Sequence, residues 1–172
     1  MDFKTYIRDI PNFPKKGVVF KDITTLLKDA EALKIASEAL CQMVGDQKVD
    51  KVVSMESRGF FFAPILAVHF NAGFVPVRKK GKLPAATVRQ TYTLEYGTDT
   101  LEIHADAISP GERVLVHDDV LATGGTALAV CQMIESMGAE VVQCNFLLEL
   151  GFLEGRKKLK GLDVKSLISY RD

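Results

Sequence analysis

Val114-Leu-Val-His-Asp-Asp-Val-Leu-Ala-Thr-Gly-Gly-Thr-Ala127 decides how this chain of 172 residues is read. A short apolar strand runs into two adjacent carboxylates, a small-residue loop follows, and a helix opens at Gly-Gly-Thr. Asp118 and Asp119, at the end of a strand, can accept hydrogen bonds from two neighbouring ribose hydroxyls. The loop of Ala122, Thr123, Gly124, Gly125 and Thr126 offers backbone N–H groups at a helix N-terminus, a ready seat for phosphate. Gly124 and Gly125 let the backbone take positive φ and approach an anion without a Cβ in the way. Thr123 and Thr126 add hydroxyl donors. Acid pair and phosphate loop, in that order, point to a sugar-phosphate site rather than an ordinary strand-to-helix turn. No G-x-x-x-x-G-K-[ST] occurs, and no G-x-G-x-x-G follows a strand, so nucleotide hydrolysis and dinucleotide binding lose their main signatures.

Outward from this stretch, strands alternate with helices. Upstream, residues 2–9 read as a short helix ended by Pro11 and Pro14, and 18–20 as a short extended piece. Asp29 is a plausible cap for a helix to about Gly45, with Leu33, Ala36, Leu40 and Val44 at helical spacing. Residues 52–55 read as a buried strand, 59–70 as a helix and 74–78 as another strand. The stretch 79–90 is polar and lacks a period. Segments 92–96 and 101–105 alternate like an antiparallel pair around Gly97-Thr98-Asp99. Downstream of the strand 114–117, a helix ends at Met137-Gly138, where Gly is the expected stop. A long strand at 141–150, a basic helical turn at 155–160 and a short strand at 167–168 follow. The pattern implies an α/β fold, a Rossmann-like parallel sheet flanked by helices, in one domain spanning 1–172. In such sheets ligands bind beyond the carboxyl ends of the strands, where the acid pair would lie.

Lys plus Arg and Asp plus Glu each number 22, so the formal charge is zero. That balance argues against a general nucleic-acid binder, which needs a basic excess. Cys41, Cys131 and Cys144 are far apart, odd in number and form no CxxC, which suits reduced, buried thiols. No run of 18 apolar residues occurs, and Met-Asp-Phe-Lys lacks a signal peptide's apolar core. A soluble, cytoplasmic protein that binds no membrane is expected.

The 114–127 stretch resembles the ribose-phosphate motif of the type I phosphoribosyltransferases, and four more segments narrow the likeness to their adenine-specific branch. Phe13-Pro-Lys-Lys-Gly-Val-Val-Phe-Lys-Asp-Ile23 resembles the N-terminal purine-site segment of that branch, and Glu56-Ser-Arg-Gly-Phe60 its diphosphate loop. Val75-Pro-Val-Arg-Lys-Lys-Gly-Lys-Leu-Pro84 resembles its basic loop and Tyr92-Thr-Leu-Glu-Tyr-Gly97 the strand of its mobile hood. The likeness implies the type I phosphoribosyltransferase fold with a small N-terminal hood and a flexible β-hairpin lid. It also implies transfer of phosphoribosyl from 5-phosphoribosyl 1-diphosphate to adenine, giving AMP and diphosphate. Mg²⁺ is expected, held mainly by substrate and water, and a homodimer is a family expectation.

The same likeness distributes the site. Diphosphate falls to Ser57, Arg58, Arg78, Lys79 and Lys82; Arg offers it a planar fork and Lys a point charge. Glu56–Ser57 is implied to be a cis peptide that aims N–H groups at the diphosphate. Adenine falls to main-chain groups near Val19 and Lys21, with Phe20, Val120 and Leu150 as apolar walls. Glu95 and Arg58 are the catalytic candidates, Glu95 as an acid–base or electrostatic residue. The family usually has Arg where Lys21 stands and an aliphatic residue where His117 stands; His117 reads as a packing variation. Two other readings stay open: an enzyme for guanine, hypoxanthine or xanthine, and a non-catalytic sensor of phosphoribosyl diphosphate.

Overall fold

A strand buried on both faces needs a largely apolar run, and three segments provide one, each with buried polar residues set into it. In the computed structural model, which describes every residue except 94–96 and 172, they become β3 (Lys51–Met55), β7 (Arg113–Leu121) and β8 (Glu140–Leu150). The chain divides into two compact units, Met1–Ala39 and Leu40–Asp172.

In the first unit, residues 2–9 do not form the expected helix. Asp2 caps a single 3₁₀ turn, Phe3–Tyr6, and the chain then extends into β1 (Arg8–Pro11), antiparallel to β2 (Val19–Asp22). Strand pairing satisfies the backbone of residues 8–11, which a helix ending at two prolines could not. Asp22 accepts the Thr24 N–H and two Arg8 donors, and these lower its carboxyl to about 2. A short α1 (Thr24–Leu27), absent from the sequence reading, follows. Asp29 Oδ1 accepts the Ala32 N–H at 2.9 Å, so the expected cap opens α2 (Ala30–Val44).

The second unit holds a seven-stranded sheet. Its other strands are β4 (Gly73–Lys79), β5 (Thr87–Thr93), β6 (Thr98–His104) and β9 (Val164–Tyr170), in the order β5-β6-β4-β3-β7-β8-β9. Five strands, β4 to β9 through β3, β7 and β8, run parallel. β6 joins β4 antiparallel, and β5 pairs with β6 from Thr87↔His104 to Thr93↔Thr98. The sheet is therefore mixed, and the hairpin begins inside the stretch that showed no period. The segment 59–70 splits into a 3₁₀ turn (Arg58–Phe61) and α3 (Ala63–His69), with Pro64 at the helix start. α4 (Gly125–Ser136) buries Ala127, Val130, Cys131 and Ile134, one face of the helix, against Val53, Val114, Val116 and Phe146. All three cysteines are buried and free.

One level of the sheet is polar. Ser54, His117 and Asn145 are register partners on β3, β7 and β8, and all three are fully buried. His117 Nδ1 lies 2.7 Å from Asn145 Oδ1, and Asn145 Nδ2 donates to the Leu40 carbonyl at 3.3 Å. Phe62 meets the imidazole edge-on at 6.2 Å. Burial outweighs the Asn145 contact and lowers His117 to about 4 from 6.5. The unfolded chain therefore takes up more protons between those values than the folded one. Stability is full above pH 6.5 and falls toward pH 4, by about 3 kcal/mol from this residue. Denaturant titrations at pH 7 and 4.5 should show that loss in the native chain and a smaller one in His117→Val; equal losses would assign it to other groups.

Candidate active site

β7 does not stop at His117; it carries the acid pair within the strand and ends at Leu121. Asp118 Oδ1 accepts the Asp119 N–H at 2.9 Å. Asp119 is 4% exposed, and its Oδ2 lies 2.9 Å from Arg58 Nε, an ion pair without an aligned hydrogen bond. Burial pushes the Asp118 carboxyl well up, and the neighbouring Asp119 charge adds to that. Asp119 is also raised by burial, against the opposing pull of Arg58. Two crowded acids with one guanidinium favour hydroxyl partners that can donate to them.

After Leu121 the chain turns into the glycine loop of residues 122–126. Gly124 is left-handed, φ 77°, and caps α4, with its carbonyl taking the Leu128 N–H at 3.0 Å. A cavity of about 80 Å³ lies here, lined by Asp118 and residues 120–127. One water needs roughly 10–15 Å³ on that measure, so the space suits a larger polar guest. Ala122, Thr123, Gly124, Gly125 and Thr126 thus share one cavity with Asp118 and Val120. Thr126 Oγ1 also donates to the Tyr92 hydroxyl at 3.3 Å, joining α4 to β5.

Two glycines outside the motif shape it. A Cβ on Gly124 would collide with the Gly155 carbonyl oxygen, and one on Gly155 with the Ala122 carbonyl oxygen. A Cβ on Gly59 would collide with Ser54 Oγ and lie 2.7 Å from Asp118 Oδ1. Neither Gly155 nor Gly59 was singled out in the sequence, because each matters through backbone contact with a distant segment.

The segment 56–58 follows β3, and its Glu56–Ser57 peptide bond is cis. Glu56 carries an unforeseen role. Its carboxylate takes the Lys79 N–H at 2.8 Å, Arg78 Nε at 3.0 Å and Lys82 Nζ at 3.2 Å. Burial raises Glu56, but these donors outweigh it and hold the carboxyl below its usual range. Lys79 Nζ pairs with Asp99 at 3.4 Å. Arg78, Lys82 and the Lys79 main chain are thus gathered on Glu56.

In the first unit, Lys21 Nζ lies 2.8 Å from both Asp9 oxygens, and Phe20 stacks edge-on with Phe13 at 5.2 Å. Val19 is about half exposed. Val120 and Leu150, in the second unit, sit partly buried at the ends of β7 and β8. Glu95 lies outside the described residues, as do Leu94 and Tyr96.

Comparison with known proteins settles the family. The phosphoribosyl transferase domain matches residues 22–167. The adenine phosphoribosyltransferase of Christiangramia forsetii is 61% identical over 170 residues, 99% of each chain. The chain belongs to the adenine phosphoribosyltransferases. That of Flavobacterium johnsoniae is 56% identical over 99% of this chain and 100% of its own. The crystal structure of the Thermoanaerobacter pseudethanolicus adenine phosphoribosyltransferase matches with a TM-score of 0.96 at 53% identity, covering 98% of both chains. The Saccharomyces cerevisiae enzyme, solved with an imino-altritol bisphosphate and adenine, matches at 0.91 and 39% identity over 96% of each chain. Like other adenine phosphoribosyltransferases, this chain is a pentosyltransferase on the type I fold.

Gly155→Ala places a methyl group against the Ala122 carbonyl and must displace the 122–126 loop. It should weaken ribose 5-phosphate binding at least about tenfold, with about 1–3 kcal/mol lost from folding stability. Calorimetric titration checks this; unchanged affinity would separate the loop from phosphate binding.

Proposed function

We propose that the Asp118 cavity and its glycine loop hold the ribose 5-phosphate of 5-phosphoribosyl 1-diphosphate while adenine replaces diphosphate at C1, giving AMP. The observation that carries this reading is the single cavity shared by Asp118 and residues 120–127 at the N-terminus of α4. Asp118 and Asp119 accept the ribose hydroxyls, and the N–H groups of 122–126 with the Thr123 and Thr126 hydroxyls take the phosphate. The C1–O bond to diphosphate breaks, a C1–N bond to adenine forms, and the purine proton must leave. Charge develops on the sugar as in glycoside chemistry, so a fixed ribose and a neutralised leaving group supply the rate.

Ser57, Arg58, Arg78, Lys79 and Lys82 are assigned to the diphosphate. Arg78 and Lys82 already face Glu56, with side chains 36% and 50% exposed. Glu56 is only 7% exposed, so an incoming diphosphate competes with a carboxylate that still needs countercharge, and binding exchanges one anion for another at these cations. Glu95 is assigned to stabilising the cationic sugar or taking the purine proton. Residues 79–98 are proposed to cover the site, since water would intercept the sugar cation. Mg²⁺ would be held mainly by substrate and water, since the described residues bring no three acid, His or Cys side chains together as a metal cage, while Asp118 and Asp119 serve the ribose. When bound with substrate, the ion supplies charge neutralisation at the diphosphate and ribose oxygens.

Adenine reading is assigned to main-chain groups of Val19 and Lys21, with Phe20, Val120 and Leu150 as apolar contacts. The Lys21 side chain already serves Asp9, which favours the main chain as the reader. Three free buried thiols support a reducing, cytoplasmic setting. No helix among the described residues is long and apolar enough to cross a membrane.

Turnover with adenine, guanine, hypoxanthine and xanthine, with and without Mg²⁺, tests the assignment. Adenine should be strongly preferred, and Asp118→Asn with Asp119→Asn should lower kcat/KM by about 100-fold or more. Unchanged kinetics would remove the ribose role. A homodimer is proposed through the face of Phe61, Ile65 and Val68, which are 44%, 39% and 82% exposed and share one side of the 3₁₀–α3 segment. Sedimentation velocity should show a dimer for the native chain and a monomer for Val68→Asp; a dimer in both would place the interface elsewhere.

A further inference from the structure

Glu102 is 1% exposed, the most buried carboxylate among the described residues, and the reaction assigned above does not use it. It stands on β6 between two arginines, opposite Arg78 of β4 and Arg89 of β5. Oε1 lies 2.7 Å from Arg89 Nε, and Oε2 accepts the Gly81 N–H at 2.9 Å. Gly81 has φ +83° and turns the loop that carries Lys79, Lys80 and Lys82. A buried charge is a poor way to stabilise a fold, because a well-packed apolar side chain does so without desolvating an ion. Glu102 makes sense by what it holds. Glu56 gathers the loop's cations, while Glu102 fastens the main chain at the turn between them.

We infer that Glu102 is a positioning residue for diphosphate: its carboxylate fixes the turn at Gly81 so that Lys79 and Lys82 meet the leaving group with little ordering left to do. Preorganised donors bind an anion better than donors that must first be ordered. The inference rests on the reading of the basic loop as the diphosphate site.

Glu102→Gln keeps the shape of the side chain and an acceptor oxygen but removes the charge that Arg89 and Gly81 share. KM for phosphoribosyl diphosphate and the inhibition constant of diphosphate should each rise about tenfold, the size expected for a hydrogen bond to a charged group. KM for adenine and kcat should stay within about twofold. A lowered Tm with both KM values unchanged would overturn the proposal and leave Glu102 a purely structural residue. Lys82→Ala is measured beside it. If Lys82→Ala raises KM for phosphoribosyl diphosphate and Glu102→Gln does not, only the Glu102 role falls; if Lys82→Ala changes nothing, the diphosphate reading falls and this role with it. Should Glu102→Gln fail to fold, hydrogen exchange on the native enzyme decides. The Gly81 amide must be protected without ligand, and exchange at the rate of an open loop would overturn the proposal.

Discussion

No side chain fits between residue 124 and the carbonyl of residue 155, and the cavity at the start of α4 depends on that fact. Without a Cβ, Gly124 both turns left-handed and lies against the Gly155 carbonyl. Residues 120–127 then line one cavity together with Asp118. A strand end, a helix start and a 3₁₀ turn must all meet at backbone distance. Only glycine at both positions permits it.

Electrostatics complete what the glycines shape. The acid pair is crowded and buried, and Arg58 is its nearest countercharge. The basic loop faces two carboxylates of its own, Glu56 and Glu102, from different strands. Each charged cluster is therefore arranged before any substrate arrives. Arrangement in advance matters because ordering several long side chains around an anion costs about 0.5–1.5 kcal/mol each.

The fold was legible in the sequence, as was the grouping of Asp118 with the glycine loop around one cavity. Apolar runs marked β3, β7 and β8, Asp29 marked the start of α2, and Gly138 marked the end of α4. Alternating charge and apolar residues signalled the β5–β6 pair, although its first strand starts earlier than the pattern suggested. Local spacing misled at residues 2–9, where a strand partner supplied by residues 19–22 overrode the helical pattern. It was silent on Gly59, Gly155, Glu56 and Glu102, whose importance comes from distant contacts. Glu95 drew attention by resemblance alone and lies outside the described residues.

Glu56 has a consequence for the end of the catalytic cycle. On the proposed assignment of the basic loop to diphosphate, a cationic loop with no resident anion would hold that product and delay its departure. With a carboxylate waiting at the same cations, each step of diphosphate loosening is met by a returning contact. On that assignment, the returning Glu56 contacts would ease the product's exit and restore the loop to its starting geometry.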